Sequence, residues 1–192
     1  PGRGIAEILG WWRTCRAANR PAVLFCYALG KAQRILAELA RRVDGDEVAW
    51  IHGAMRPLVD AYRGAGIRML RTRPVAEAGK GEKFGGQLVL APPSAAGSTW
   101  MRRFPKHSAG FVSGWMRIRG NRRRRGYDRG FVLSDHADWP SLIRTIEDCG
   151  ARRVLATHGS TDVLVEHLRE RGIRAEPLAT PYGDEEAEHE AV

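Results

Sequence analysis

Apolar positions along the chain fall into two spacings, and the switches between them outline the fold. In residues 4–19, Ile5, Ile8, Leu9, Trp12 and Cys15 recur at helical spacing until Pro21 interrupts. A short unbroken apolar run follows at residues 22–27, rich in strand formers. It passes through Ala28, Leu29 and Gly30 into residues 31–42, where Ile35, Leu36 and Leu39 line one helical face. The same strand, turn and helix pattern recurs at residues 48–52 and 55–62. Residues 72–86, rich in Gly, Lys, Glu and Pro, predict a loop, and residues 87–91 a further strand stopped by Pro92 and Pro93.

The last third is the most regular part. Residues 130–134 predict a strand, and Asp138 can cap a helix with Pro140 in its first turn and Leu142, Ile143 and Ile146 inside. Residues 153–157 predict the next strand and residues 162–171 the next helix, closed by Gly172. Strands alternating with helices of this length imply an α/β fold, a parallel or mixed sheet with helices on its faces.

Charge then narrows the class of partner. The 192 residues hold 31 Lys plus Arg against 22 Asp plus Glu, a formal net charge of +9. Without residues 184–192 the acids fall to 17 and the net charge rises to +14, so an acidic tail follows a basic body. The bases are 27 Arg and only 4 Lys. Arginine's planar fork suits phosphate, although a GC-rich genome also raises arginine content. No apolar run approaches the roughly 18 residues of a membrane span. The odd set Cys15, Cys26 and Cys149 has no metal-like spacing, which fits a reduced cytoplasmic protein.

Two histidines carry the strongest chemical signal. His136 and His158 each follow a predicted strand and precede a helix, one strand-helix unit apart. A right-handed crossover would place both strands in one sheet and both imidazoles at its carboxyl edge, where open α/β sheets bind ligands. Histidine there can bind metal or move protons near neutral pH. Asp138 has a structural role as a helix cap; Asp135 is free to orient a histidine or to face solvent. His52, at another strand end, has no acidic or histidine companion and is expected to bond backbone. His107, His167 and His189 receive no role.

Seven arginines, Arg117, Arg119, Arg122, Arg123, Arg124, Arg125 and Arg129, crowd the stretch just before the His136 strand. Trp115, Met116 and Tyr127 interleave with them as candidate stacking surfaces, the pattern of a nucleic-acid backbone contact. The turn at Gly30 lacks the glycine spacing of a phosphate-binding P-loop, yet it feeds a helix amino terminus with Lys31 in the first turn, an arrangement that can hold a phosphate.

These residues resemble a known family. The segment Phe25-Cys-Tyr-Ala-Leu-Gly-Lys-Ala-Gln-Arg-Ile-Leu36 is similar to the Ala-Leu-Gly-Arg-Ala-Gln-Glu-Leu-Leu segment of β-CASP nucleases, metallo-β-lactamase-fold enzymes that cut RNA or DNA. Leu133-Ser-Asp-His-Ala-Asp138 resembles the family's Ser-Ala-His-Thr-Asp element, and Thr157-His-Gly159 its Val-His-Gly element. The match runs from about residue 8 to about residue 182. It is strongest toward the bacterial ligase-associated DNA exonucleases, through residues 113–120 and 129–139.

The resemblance implies roles. His158 would bind one zinc of a two-metal centre, with manganese as an alternative metal. His136 would donate a proton to the leaving oxygen or contact the scissile phosphate. Lys31, Arg119, Arg122, Arg123, Arg124 and Arg125 would bind the DNA backbone, while Asp135 and Asp138 orient or cap. Residues 1–128 would be most of a β-CASP domain, 129–183 the closing part of the metallo-β-lactamase domain, and 184–192 a frayed tail. The partners implied are DNA, with RNA as the alternative, a DNA ligase and a helicase.

One departure limits the resemblance. The family's His-x-His-x-Asp-His metal motif is absent from these residues, so the chain is expected to be a fragment lacking an amino-terminal half and to have no nuclease activity by itself. The competing expectation is a β-CASP-like nucleic-acid clamp without catalysis. An α/β hydrolase is disfavoured, since the chain has no Gly-x-Ser-x-Gly elbow.

Overall fold

Ala22–Phe25 form strand β1, and all four residues are buried, as the interior strand of a sheet covered on both faces requires. In the computed structural model, which describes residues 2–43, 46–117, 126–157 and 161–179, this strand lies near the middle of a six-stranded sheet. The other strands are β2 (Val48–Ile51), β3 (Arg71–Pro74), β4 (Leu88–Ala91), β5 (Ser108–Val112) and β6 (Arg129–Phe131). Their order is β3-β2-β4-β1-β5-β6 and every pairing is parallel. Ala22 stands beside Leu88 on one side and Ser108 on the other.

Helices α1 (Gly2–Ala17), α2 (Lys31–Ala40) and α3 (Arg56–Gly64) cover one face of this sheet. Ile5, Ile8, Trp12, Ile35, Leu36, Leu39 and Val59 there meet Leu24, Ile51, Leu88 and Leu90 of the strands. The other face is covered by connecting segments. Phe84, Ala95 and Phe104 pack on Val23, Phe25, Trp50, Val89 and Phe111. Phe84 meets Phe104 edge-on at 4.9 Å between ring centres, a favoured aromatic geometry.

Three strands escape the hydrophobic pattern. Residues 72–86 are not wholly a loop: β3 begins at Arg71, with side chains alternately exposed and half-buried. An edge strand needs no apolar run, and Pro74 at its end costs no ladder bond. Strand β5, Ser-Ala-Gly-Phe-Val, hides behind small residues, and β8 (Arg174–Pro177) carries a single apolar side chain, Ala175, before its closing proline.

The chain divides after Asp135 into two compact units, so β6 belongs with the first through its pairing with β5. The second unit contains α4 (Trp139–Asp148), β7 (Arg153–Ala156), α5 (Thr161–Glu170) and β8. Ile143, Ile146, Ala156, Val165, Leu168 and Ala175 form its core. Among the described residues strand β7 pairs in parallel with β8, in a two-stranded sheet. The strands before His136 and His158 therefore do not share a sheet. The expectation of one sheet is not met among the described strands: the neighbour found for β7 is β8, a strand without an apolar signal.

Among the described residues no helix is long and apolar enough to cross a membrane. The acidic stretch 184–192 lies outside the described residues.

Candidate functional site

The connections after β1 and β5 depart in opposite directions along the sheet, to β2 and to β6. In open parallel sheets this reversal opens a crevice at the carboxyl edge. In the first unit, two segments meet near that edge: the turn from β1 into α2, and the residues following β6.

The turn is held in an uncommon conformation. Gly30 has φ +75° and ψ −63°, and the Lys31 N–H donates to the Leu29 carbonyl at 2.9 Å. This is a γ-turn of the rare hand, open to glycine and strained for residues with a Cβ. The Ala32 N–H donates to the Tyr27 carbonyl at 3.2 Å, and Gln33 Nε2 to the Ala28 carbonyl at 2.9 Å. The amides of Lys31 and Ala32, candidates for holding a phosphate, are thus bonded within the turn. Gly30→Ala is expected to cost about 1–3 kcal/mol of stability, the usual range for a residue forced into a sparse backbone region. Urea unfolding reads this directly, and an unchanged midpoint would show that alanine fits the turn.

Tight geometry at Gly30 starts α2 with Lys31 turned inward. Lys31 is only 5% exposed. Its Nζ lies 5.1 Å from the centre of the Tyr27 ring and 3.5 Å from Asp135 Oδ2. Three residues on, and so on the same face of α2, Arg34 Nη1 donates to Asp135 Oδ1 at 3.1 Å and to the Ser134 carbonyl at 2.8 Å. Each oxygen of Asp135 thus faces its own cation. Gly114, just beyond β5, allows this approach, since a Cβ there would stand 3.3 Å from Ser134 Cβ.

Asp135, which the sequence left between orienting and solvent roles, is pinned to α2. Lys31, expected at the nucleic-acid backbone, is buried and faces that carboxylate. Arg34 had no assigned role; its only sequence signal is its place three residues after Lys31. Tyr27 and Leu29 are exposed on the outer side of the turn. Behind it Cys26 is fully buried, and burial pushes its thiol up to about 12, so it is an inert apolar side chain.

His136 is exposed and opens the second unit. Asp138 Oδ1 accepts from the Ser141 N–H at 2.9 Å, the helix cap expected of it, and the Ser141 hydroxyl together with this N–H holds its carboxyl below the usual range. His158 and five of the arginines, Arg119, Arg122, Arg123, Arg124 and Arg125, lie outside the described residues. The stacking surfaces expected among those arginines are in part committed elsewhere. Tyr127 stacks on Phe111 with ring centres 4.9 Å apart, and Met116 packs against the same cluster.

His52 bonds backbone, as its isolation implied. Its N–H donates to the Leu90 carbonyl at 2.8 Å and its Nδ1 accepts from the Ala54 N–H at 3.1 Å. Trp100 lies edge-on at 4.8 Å, and burial lowers the imidazole pKa, favouring the neutral ring.

No protein-family model matches the chain. A protein of Opitutus terrae (strain DSM 11246 / JCM 15787 / PB90-1) named "Probable DNA ligase" is 34% identical over 153 residues. The similarity takes in 80% of this chain and 14% of that protein, so the chain corresponds to a small part of its relative's length.

Proposed function

We propose that this chain is the β-CASP part and the closing metallo-β-lactamase part of a metal-dependent DNA exonuclease that processes DNA ends beside a DNA ligase. One observation carries the reading: 80% of the chain is similar to a segment that forms only 14% of a protein named as a probable DNA ligase. A module that occurs within a DNA-joining protein acts most directly on the ends to be joined. The six-stranded parallel sheet flanked by helices is compatible with the β-CASP resemblance.

In this reading His136 donates a proton to the leaving oxygen as the P–O bond breaks, which leaves the imidazole neutral and the alcohol product uncharged. Asp135 and α2 fix the backbone that enters it. The zinc centre implied by the resemblance would take His158 from this chain. Among the described residues no three or more His, Cys, Asp or Glu gather in a group that could hold a metal ion. With the His-x-His-x-Asp-His motif absent from the sequence, the further metal ligands would come from elsewhere in a longer polypeptide.

Incubation of the whole protein with single- and double-stranded DNA, in zinc or manganese, tests the reading by end-labelled product analysis. Stepwise shortening of DNA is expected; binding without cleavage would favour the non-catalytic clamp, and shortening of RNA alone the RNA-processing alternative. Residues 1–192 alone are expected to cut nothing, and metal-dependent cleavage by them would refute the dependence on outside ligands.

The arginines carry a separate expectation. Replacing Arg122, Arg123, Arg124 and Arg125 with glutamine should weaken duplex binding and reduce the slope of log K against log salt by about 3.6, if each meets one phosphate. An unaltered slope would identify them as a solvated loop.

A further inference from the structure

We propose that Arg34 is a positioning residue for the proposed nuclease centre, acting with Asp135 as a charge-matched clamp on the backbone that leads into His136. This rests on the reading of His136 given above. A single guanidinium nitrogen, Nη1, binds both the Asp135 carboxylate and the Ser134 carbonyl, so it holds a main-chain and a side-chain atom of adjacent residues. Lys31 takes the second carboxylate oxygen. Both cations come from one face of α2, and the strained turn at Gly30 sets where that face begins. The Arg34 and Asp135 side chains are only about one-third exposed, which limits screening by solvent.

Arg34 stands where the quoted family segment has Glu, and Asp135 where the quoted element has Ala. These two departures, a hundred and one residues apart, meet in the structure. A glutamate at position 34 beside Asp135 would set two carboxylates against each other. With alanine at position 135, the same glutamate could pair with Lys31 three residues earlier. A glutamate at position 34 is therefore compatible with alanine at position 135 and not with aspartate.

A double-mutant cycle in the whole protein tests the clamp, with Arg34→Glu, Asp135→Ala and the pair R34E/D135A. The first readout is the backbone amide order parameter of Ser134, Asp135 and His136, which requires no activity. Arg34→Glu should lower it from about 0.85 to below about 0.6. The second readout is cleavage, where Arg34→Glu should reduce kcat about tenfold or more with KM unchanged, since misplacement affects the reacting geometry rather than binding. In the Asp135→Ala background, the same substitution should change the order parameters little and kcat by less than about threefold. Equal effects of Arg34→Glu with and without Asp135→Ala, in the order parameters, would overturn the clamp. If Arg34→Glu does not fold, Arg34→Gln carries the same comparison with a neutral side chain. If the amides couple as stated while even the unmodified protein leaves DNA intact, the clamp stands and the nuclease reading fails.

Discussion

Replacing His136 with alanine in the whole protein is expected to slow DNA cleavage roughly 10²–10⁴-fold, the usual worth of a positioned general acid. KM and bound metal should stay as they are, because the imidazole is assigned to the leaving oxygen. The chemistry supplies a sharper control. An alkoxide leaving group needs a proton, whereas a thiolate, whose conjugate acid has a pKa near 8.5, leaves readily without one. A substrate with sulfur in place of the bridging leaving oxygen should therefore be cut by His136→Ala almost as fast as by the unmodified protein. An equal loss on both substrates would assign His136 to the phosphate rather than to the proton.

The second large effect is on stability. Trp12 is 1% exposed in the core beneath the helices, and its Nε1–H donates to the Gly86 carbonyl at 3.0 Å. The Arg16 guanidinium lies 4.7 Å above the ring and binds Glu47 through two bonds of 2.7 Å, which also raise the arginine pKa. Trp12→Ala should cost about 3–5 kcal/mol, the range for emptying a buried aromatic site. Trp12→Phe keeps much of the volume but leaves the Gly86 carbonyl without its donor, at about 1–3 kcal/mol. Urea titration of the three proteins measures both. A phenylalanine variant as damaged as the alanine one would assign the whole effect to the hydrogen bond and none to packing.

The interior strands could be read from sequence because burial on both faces leaves an unbroken apolar run, as in Ala22–Phe25 and Leu88–Ala91. The edges and the second sheet could not. Strand β3 is held by backbone pairing to β2 along Val48–Ile51, and its side chains say little about burial. Strand β8 is equally polar, so its pairing with β7 leaves no hydrophobic signal.

At the candidate site, the Asp138 cap was legible because a cap is local in sequence. The clamp on Asp135 was not, for it joins α2 to a residue about a hundred positions away, and no spacing rule reaches that far. Lys31 shows the same limit. A lysine after a glycine turn reads as a phosphate-binding cation, and only the fold reveals the carboxylate that faces it.

Strand β1, central and wholly apolar, has neither neighbour close to it in the chain: its partners begin at Leu88 and Ser108. During synthesis it leaves the ribosome long before either partner exists. Until then both of its hydrogen-bonding edges stay open, and α1 and α2 can shelter no more than one of its faces. The nascent chain thus carries a wholly apolar strand unpaired until Leu88 and Ser108 have been made, the kind of open edge that associates wrongly during synthesis.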